Sequence, residues 1–435
     1  VVRENAEIFL EMNYNAAQIV PQRRPKVANE STVKVYGYRW IVLMAFMAII
    51  FANQLLWITF APVTGPAAAY YRVSDLAIGL LSMSFMIVYI VFAIPASWVI
   101  DTYGFRVGVG IGAVLTGGFG LMRGLVAPNY TLVLIAQTGI AVGQPFILNA
   151  ITKVAARWFP IQGRATASGL ASLAMYVGQV SALVLTPFLI LGSGISSALL
   201  IYGLIAAACA AIFLALARER PPTPASPAGE EVRSLVFDGL RHALRQRDFA
   251  LVLAIFFIGL GVFNGVTTWI EDILRPRGFS IAQAGLAGGV MIASGVLGAL
   301  VLPTLSDRYR KRVPFIILAL LLSVGGLAGI TFAAQYWLLL LGAATMGFAL
   351  LSAGPIGFQY GAEVAYPAPE GTTNGLLLLA GQISGIIFIL GMDQFKVPGT
   401  GSMTPSLVVL IVLLALGALL ATRLHESAMM TGRQL

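Results

Sequence analysis

Two stretches, Pro95-Ala-Ser-Trp-Val-Ile-Asp101-Thr-Tyr-Gly104-Phe-Arg106-Val107 and Pro303-Thr-Leu-Ser-Asp307-Arg308-Tyr-Arg-Lys-Arg312-Val313, decide how this chain is read. Each follows a long apolar run, and in each an acid precedes an Arg-Val pair by five residues. The two acids lie 206 positions apart, and Pro145 with Lys153 recurs as Pro355 with Glu363 at an offset of 210. Two features repeated at nearly one offset imply a duplicated unit, two parallel halves with a site between them.

Working outward, apolar runs of about 20 residues recur almost end to end, each long enough to cross hydrocarbon as a helix that satisfies its own backbone. They fall at residues 40–61, 76–98, 107–126, 131–152, 165–187, 196–217, 249–270, 284–304, 313–332, 336–360, 372–392 and 407–422. With 58% hydrophobic and 10% charged residues among 435, the chain is too apolar for a soluble core, where roughly 25% are charged. The expected fold is an all-α membrane protein with twelve transmembrane helices in two six-helix bundles. The expected organisation is a cytoplasmic N-terminal segment 1–39, a bundle 40–217, a linker 218–248, a second bundle 249–422 and a tail 423–435. The linker opens with Pro221, Pro222, Pro224 and Pro227 and closes with a basic, amphipathic stretch from Arg241 to Arg247.

The net charge of +9 does not point to nucleic acid, because the basic residues sit in short loops between the spans. Twenty-two of the 27 Lys and Arg fall on the side of both termini and the linker. That bias places both termini in the cytoplasm and the chain, multi-pass, in an inner (plasma) membrane. No cleavable signal peptide is expected in the polar or mixed stretch that precedes Arg39, and the lone Cys209 excludes a disulfide framework.

No Asp, Glu, Lys or Arg lies near the middle of any expected span. Glu271, Asp272 and Asp393 fall at outer ends, Arg123 near one, and Glu363 at an inner end. This weighs against proton coupling and against a strongly anionic solute. Neutral polar groups remain: Gln144 and Asn149 on the fourth span, Tyr176 and Gln179 on the fifth, Asn264 on the seventh and Gln382 on the eleventh. Each reads either as interhelical glue or as a solute contact. Trp57 reads either as interfacial belt or as a cation–π wall, and Trp269 as belt. Trp40, Trp98, Trp158 and Trp337 read as interfacial anchors. The glycines around Gly110 and Gly288 read as close-packing positions. His242 and His425 lie in cytoplasmic segments, so neither reads as a haem ligand or proton shuttle. No catalytic constellation, metal set or cofactor motif is visible. The chain reads as a monomeric non-enzyme whose partners are a small-molecule solute and the bilayer.

The Asp-x-x-Gly-x-Arg pattern at Asp101, Gly104 and Arg106 resembles the cytoplasmic motif of the major facilitator superfamily. That resemblance implies gating by Asp101, Gly104, Arg106 and Arg157 in one half and by Asp307, Arg308, Arg312 and Glu363 in the other. Three further stretches resemble the feline leukaemia virus subgroup C receptor-related family: Asn53-Gln-Leu-Leu-Trp57-Ile-Thr-Phe-Ala-Pro62, Gly143-Gln-Pro-Phe-Ile-Leu-Asn149 with Lys153-Val-Ala-Ala-Arg157-Trp-Phe159, and Gly357-Phe-Gln-Tyr-Gly-Ala-Glu363-Val-Ala-Tyr-Pro367 with Glu370-Gly-Thr-Thr-Asn-Gly375 and Gln382. The resemblance implies transport of choline or ethanolamine, with haem export also assigned to that family. It maps a choline pocket onto Trp57, Gln144 and Gln382, with Asn264 standing where the family has a tyrosine. A small amino alcohol moved by facilitated uniport is the leading expectation. Export of a larger amphiphile such as haem or a drug, and a receptor or sensor without net transport, are the alternatives.

Overall fold

Ser74 and Ser280, at the same offset as Asp101 and Asp307, open the second and eighth spans as N-caps: Ser74 Oγ accepts from Ala77 N at 3.2 Å and Ser280 Oγ from Gln283 N at 3.2 Å. Gln283 Oε1 reaches back to Ser280 N at 2.9 Å, completing a capping box. The computed structural model describes residues 35–223, 236–368 and 370–427. The first span runs Tyr38–Trp57 and, after a break, continues through a 3-10 turn, Ala61–Val63, into Thr64–Tyr71. The second is Asp75–Tyr103, the third Phe105–Leu125, and the fourth Tyr130–Leu148 followed by Ile151–Trp158. Later spans are Arg247–Thr268, Ile281–Tyr309, Val313–Phe332, Tyr336–Val364, Glu370–Gln394 and Thr404–Ala421.

The fifth and sixth spans share one uninterrupted stretch, Ile161–Leu216, whose 56 residues would make a rod of about 84 Å, far beyond a bilayer. The chain instead reverses at Gly194, whose φ of +79° suits glycine. Thr186 Oγ1 and Tyr202 Oη, 16 residues apart, then hydrogen-bond at 2.9 Å, which no straight helix permits. Eleven apolar stretches therefore make twelve passes of an all-α membrane protein. Helix Val236–Arg245 overlaps the expected basic, amphipathic stretch and begins five residues before it. Positions 224–235 of the linker, and everything before Val35 or after Ser427, lie outside the described residues.

Several spans run past their apolar runs, the second to Tyr103, the eighth to Tyr309 and the tenth to Val364. Both described chain ends lie on one face, here the terminal face; the opposite one is the distal face. The duplication extends to the terminal-face caps. The Glu219 carboxylate accepts Phe105 N at 3.3 Å and Arg106 N at 2.8 Å at the start of the third span. The Glu426 carboxylate accepts Arg312 N and Val313 N, both at 3.0 Å, at the start of the ninth. Each acid satisfies orphan N–H groups at the positive end of a helix. Gly104 has φ +91°, and a Cβ there would sit 2.4 Å from Glu219 Oε1, so the motif glycine is fixed by this cap.

The two halves meet toward the distal face. A Cβ on Gly285 of the eighth span would lie 2.2 Å from the Leu183 carbonyl of the fifth, and one on Gly385 of the eleventh 2.8 Å from Met86 Sδ of the second. These approaches depend on small residues, as helix contacts in lipid commonly do. The polar ties across the joint are distal too: Gly65 to Glu271, Asp75 to Arg275 and Asp75 to Lys396. Toward the terminal face, Gly169, Gly354 and Gly375 would point a Cβ into open space. The hydrogen bonds and ion pairs found between described residues of the two halves all lie on the distal side.

Candidate solute site and gates

The first span loses its helix at Ile58 (φ −99°, ψ 12°), four residues before Pro62, which has no N–H to give Ile58. The break leaves carbonyls at the end of the helix without their usual donors. Thr59 Oγ1 donates to Leu55 O at 2.8 Å, and Gln137 Nε2 to Leu56 O at 3.2 Å and Trp57 O at 3.4 Å. Arg123, fully buried, donates from Nη1 to Leu56 O at 3.0 Å and to Gln137 Oε1 at 2.7 Å, and from Nη2 to Thr59 Oγ1 at 3.4 Å. No carboxylate among the described residues pairs with it. Its charge faces the negative end of a broken helix instead. Arg123 stands in the last turn of the third span and Glu271 and Asp272 lie beyond the seventh, near the ends as expected; what the sequence did not show is their burial, Arg123 at 0%, Glu271 at 2% and Asp272 at 0% exposure.

Trp57, the last helical residue before the break, is 9% exposed. Its Nε1 donates to Ser82 O at 3.2 Å and its ring packs against Phe85, centroids 6.5 Å apart. It faces the second span rather than lipid, so the belt reading of Trp57 does not hold. Met86, one residue beyond Phe85, reaches Gly385, where Asn264 also arrives. Asn264 Nδ2 donates to Gly381 O at 3.3 Å, next to Gln382. The first, second, seventh and eleventh spans thus converge near the joint between the halves.

The other candidates sort by whether their hydrogen bonds are already made. Gln144 (7% exposed), Gln382 and the Tyr176 hydroxyl make none with any described residue. Asn149, by contrast, is fully engaged: it donates to Ala93 O at 3.1 Å and Ser97 Oγ at 3.0 Å and accepts from Tyr89 Oη at 2.9 Å, tying the fourth span to the second. Gln179 belongs to a chain whose direction a backbone carbonyl fixes. Asn53 Nδ2 donates to Ile140 O at 3.5 Å and Thr116 Oγ1 at 3.1 Å, so its Oδ1 accepts from Gln54 Nε2 at 3.4 Å. Gln54 Oε1 then accepts from Gln179 Nε2 at 2.8 Å, which leaves Gln179 Oε1 buried with no partner among the described residues. An unmet buried acceptor costs about 1–3 kcal/mol.

On the terminal face the motif residues pair within halves. Asp101 pairs with Lys153 at 2.7 Å, joining the second and fourth spans. Arg312 pairs with Asp307 and, at 3.2 Å, with Glu363, joining the eighth, ninth and tenth. Arg308 is exposed, Arg106 contributes its backbone N–H to Glu219, and Arg157 sits on the short helix Ile151–Trp158. In this state none of these ion pairs bridges the two halves.

The distal face holds what sequence reasoning missed. Asp272 pairs with Arg275 and, at 2.7 Å, with Lys396; Asp75 of the other half takes Arg275 at 2.8 Å and Lys396 at 3.0 Å. Glu271 Oε2 accepts from Gly65 N at 2.9 Å across the same joint. Burial pushes the Glu271 carboxyl up to about 7 although Arg275 pulls it back, and burial raises Asp272 as well. Trp269 is 0% exposed, donates to Ile389 O at 3.0 Å and lies under Lys396 at 5.0 Å, so it is core, not belt. Trp158 is also buried, with Nε1 on Arg218 O at 3.0 Å; Trp40, Trp98 and Trp337 are exposed.

Residues 41–389 match the model of the Major Facilitator Superfamily. Solute carrier family 49 member A3 of Danio rerio is 34% identical over 86% of this chain and 82% of its own length. The choline/ethanolamine transporter FLVCR2 of Homo sapiens is 26% identical over 90% and 78%. A crystal structure of a bacterial homologue of the human lysosomal transporter Spinster, inward-facing and unoccupied, superposes with a TM-score of 0.72 at 19% identity, covering 92% of this chain and 99% of that one. FucP in its outward conformation gives 0.61 at 16% identity over 90% and 100%. With these twelve passes, the duplicated caps and a family match over most of its length, the chain belongs to the major facilitator superfamily, as a membrane transporter related to solute carrier family 49.

Proposed function

We propose that this protein moves a small polar or cationic organic solute, an amino alcohol of the ethanolamine type, by alternating access. The observation that carries the reading is that Gln144, Gln382 and the Tyr176 hydroxyl make no hydrogen bond with any described residue, while Trp57 is buried against the second span, in halves joined at the distal face. Trp57 offers a π face to an ammonium, and the amides serve a hydroxyl. The unmet acceptor of Gln179 and the small amide Asn264 favour a head group with N–H donors over trimethylammonium. Choline is thus the weaker solute. That FLVCR2 is named a choline/ethanolamine transporter supports the class. We assign the terminal face to the cytoplasm on the Lys and Arg bias, and the mechanism to uniport, since no carboxylate stands among the solute groups. The membrane potential then drives a cation inward at about 2.3 kcal/mol per charge per 100 mV.

Competition binding of ethanolamine and choline to the purified parent and to Asn264→Tyr tests the site. Ethanolamine should win in the parent, and the substitution should move the ratio toward choline. If neither amine binds the parent, the solute class is wrong. Orientation is tested separately in a Cys209→Ala background. Thr400→Cys should react with an impermeant thiol reagent on intact cells and Thr223→Cys should not.

A further inference from the structure

We infer that Arg123 is a positioning residue: with Gln137 it clamps the broken end of the first span and thereby sets the orientation of Trp57. The solute consequence rests on the function proposed above; the positioning itself does not.

Trp57 is held at two ends, by its indole and by its backbone. Its Nε1 is tied to Ser82 O, and its own carbonyl to Gln137 Nε2. The preceding carbonyl, Leu56 O, takes both Gln137 Nε2 and Arg123 Nη1. Arg123 also holds Gln137 through its Oε1 at 2.7 Å, so the amide is oriented by the guanidinium: with Oε1 committed to a cation, Nε2 must face the carbonyls. The other guanidinium nitrogen reaches Thr59 on the far side of the break, and the planar group lies 5.7 Å from the Phe60 ring centroid. One buried fork thus spans residues 56–60, both sides of the backbone discontinuity next to Trp57.

A buried cation without a counter-ion is expensive in a membrane protein, and residues of this kind there are seldom idle. Here the compensation comes from the Leu56 carbonyl, which a continuous helix would not offer, with the Gln137 amide oxygen and the Thr59 hydroxyl. The charge and the break explain each other: without the break Leu56 O would bond within the helix, and without Arg123 nothing would hold Gln137 with its Nε2 turned to the exposed carbonyls. Lysine does not replace this function, since a point charge lacks the fork that holds three acceptors at fixed angles.

The test labels the protein with 5-fluorotryptophan and follows its six tryptophans by fluorine NMR. Trp57→Phe and Trp269→Phe assign the two resonances of interest. In Arg123→Met the Trp57 resonance should shift or broaden while that of Trp269 stays put; Arg123→Lys should do the same to a smaller degree. Affinity for ethanolamine should fall about tenfold in Arg123→Met. Adding Trp57→Phe should then cost little more, because the two changes act through one contact. An unmoved Trp57 resonance in folded Arg123→Met, or in Arg123→Lys should the methionine variant not fold, overturns the clamp. Additive losses of affinity overturn it too. If the parent binds no amine, the proposed solute is wrong while the NMR result still judges the clamp.

Discussion

The first and seventh spans break at corresponding places in the two halves, Ile58 and Trp269, with almost the same backbone: φ −99°, ψ 12° and φ −98°, ψ 18°. What surrounds them is opposite. The first break is held inside its own half by Arg123, Gln137 and Thr59, all buried. The second leads into Ile270–Leu274, whose Glu271 and Asp272 face the other half through Gly65, Arg275 and Lys396, the two cations shared with Asp75. On the function proposed above, one duplicated device serves as a fixed wall for the solute in one half and a latch between halves in the other. Fixed hydrogen bonds within a half survive a rigid-body rocking of the halves, whereas ion pairs across the joint must be exchanged with each cycle.

The largest effect should come from the latch. Asp75 takes both Arg275 and Lys396 from the other half, so Asp75→Asn removes the ion pairs that cross the joint and leaves the two cations to Asp272 in their own half. All three groups keep some water, Asp75 at 27%, Arg275 at 38% and Lys396 at 17% side-chain exposure, which discounts the loss to about 2 kcal/mol. Spin labels at the exposed distal residues Ser193 and Thr400, one in each half, should report a longer distance in the variant. Arg123→Met should leave that distance unchanged. A short distance retained in Asp75→Asn means that the small-residue contacts at Gly285 and Gly385, not the charges, keep the distal face shut.

Next comes the wall. A desolvated cation–π contact is worth about 2 kcal/mol, so Trp57→Ala should weaken ethanolamine binding by roughly thirtyfold and Trp57→Phe by less. Trp269→Phe loses a bond to Ile389 O and part of the cover over Lys396. It should lower thermal stability and leave affinity within about twofold. Equal losses of affinity at the two tryptophans would erase the distinction between wall and latch.

How much of this the sequence carried depends on the range of the interaction. The spans, the duplication and the Asp101 and Asp307 motifs were legible because apolar run length and local spacing determine them. The cap pairs were half legible: Ser280-Ile-Ala-Gln283 is a capping box in plain letters, while Glu219 and Glu426 act on helices that begin far upstream in the chain. Reading Trp269 as belt failed because an indole near a span end looks the same whether it faces lipid or, as here, Gly79 of the opposite half. Arg123 was set aside as a residue near an outer end; only the break at Ile58, four residues before Pro62, hinted that carbonyls nearby would need a donor. Asn149 looked like Gln144 in sequence, both polar on the fourth span. Its engagement with Ala93, Ser97 and Tyr89 follows from which face the helix turns after Pro145.

The smallest effect is the one that the sequence argued against, a response to pH. Glu271, its side chain 3% exposed, is pushed up to about 7 by burial, with Arg275 and the Gly65 N–H pulling it down and Asp272 and Asp75 pushing it further up. Opening the distal face wets the carboxyl and returns it toward 4.5. The closed latch therefore binds the proton more tightly than the open one. Closure is favoured in full below about 4.5 and loses that advantage as pH rises toward 7 and past it. Between pH 6.5 and 7.5 the change is about 0.7 kcal/mol, a threefold shift toward the open form at the higher pH. The Ser193–Thr400 label pair should show it, and Glu271→Gln should flatten it while Asp101→Asn on the other face should not. This dependence is one of rate, not of coupling. At zero potential a pH gradient should drive no uphill accumulation, because Glu271 meets Gly65 and Arg275 and none of Trp57, Gln144 or Gln382. Distal opening that instead increases as pH falls would mean that protonation of Glu271 breaks the latch, and the fixed-wall and moving-latch comparison would need a different mobile element.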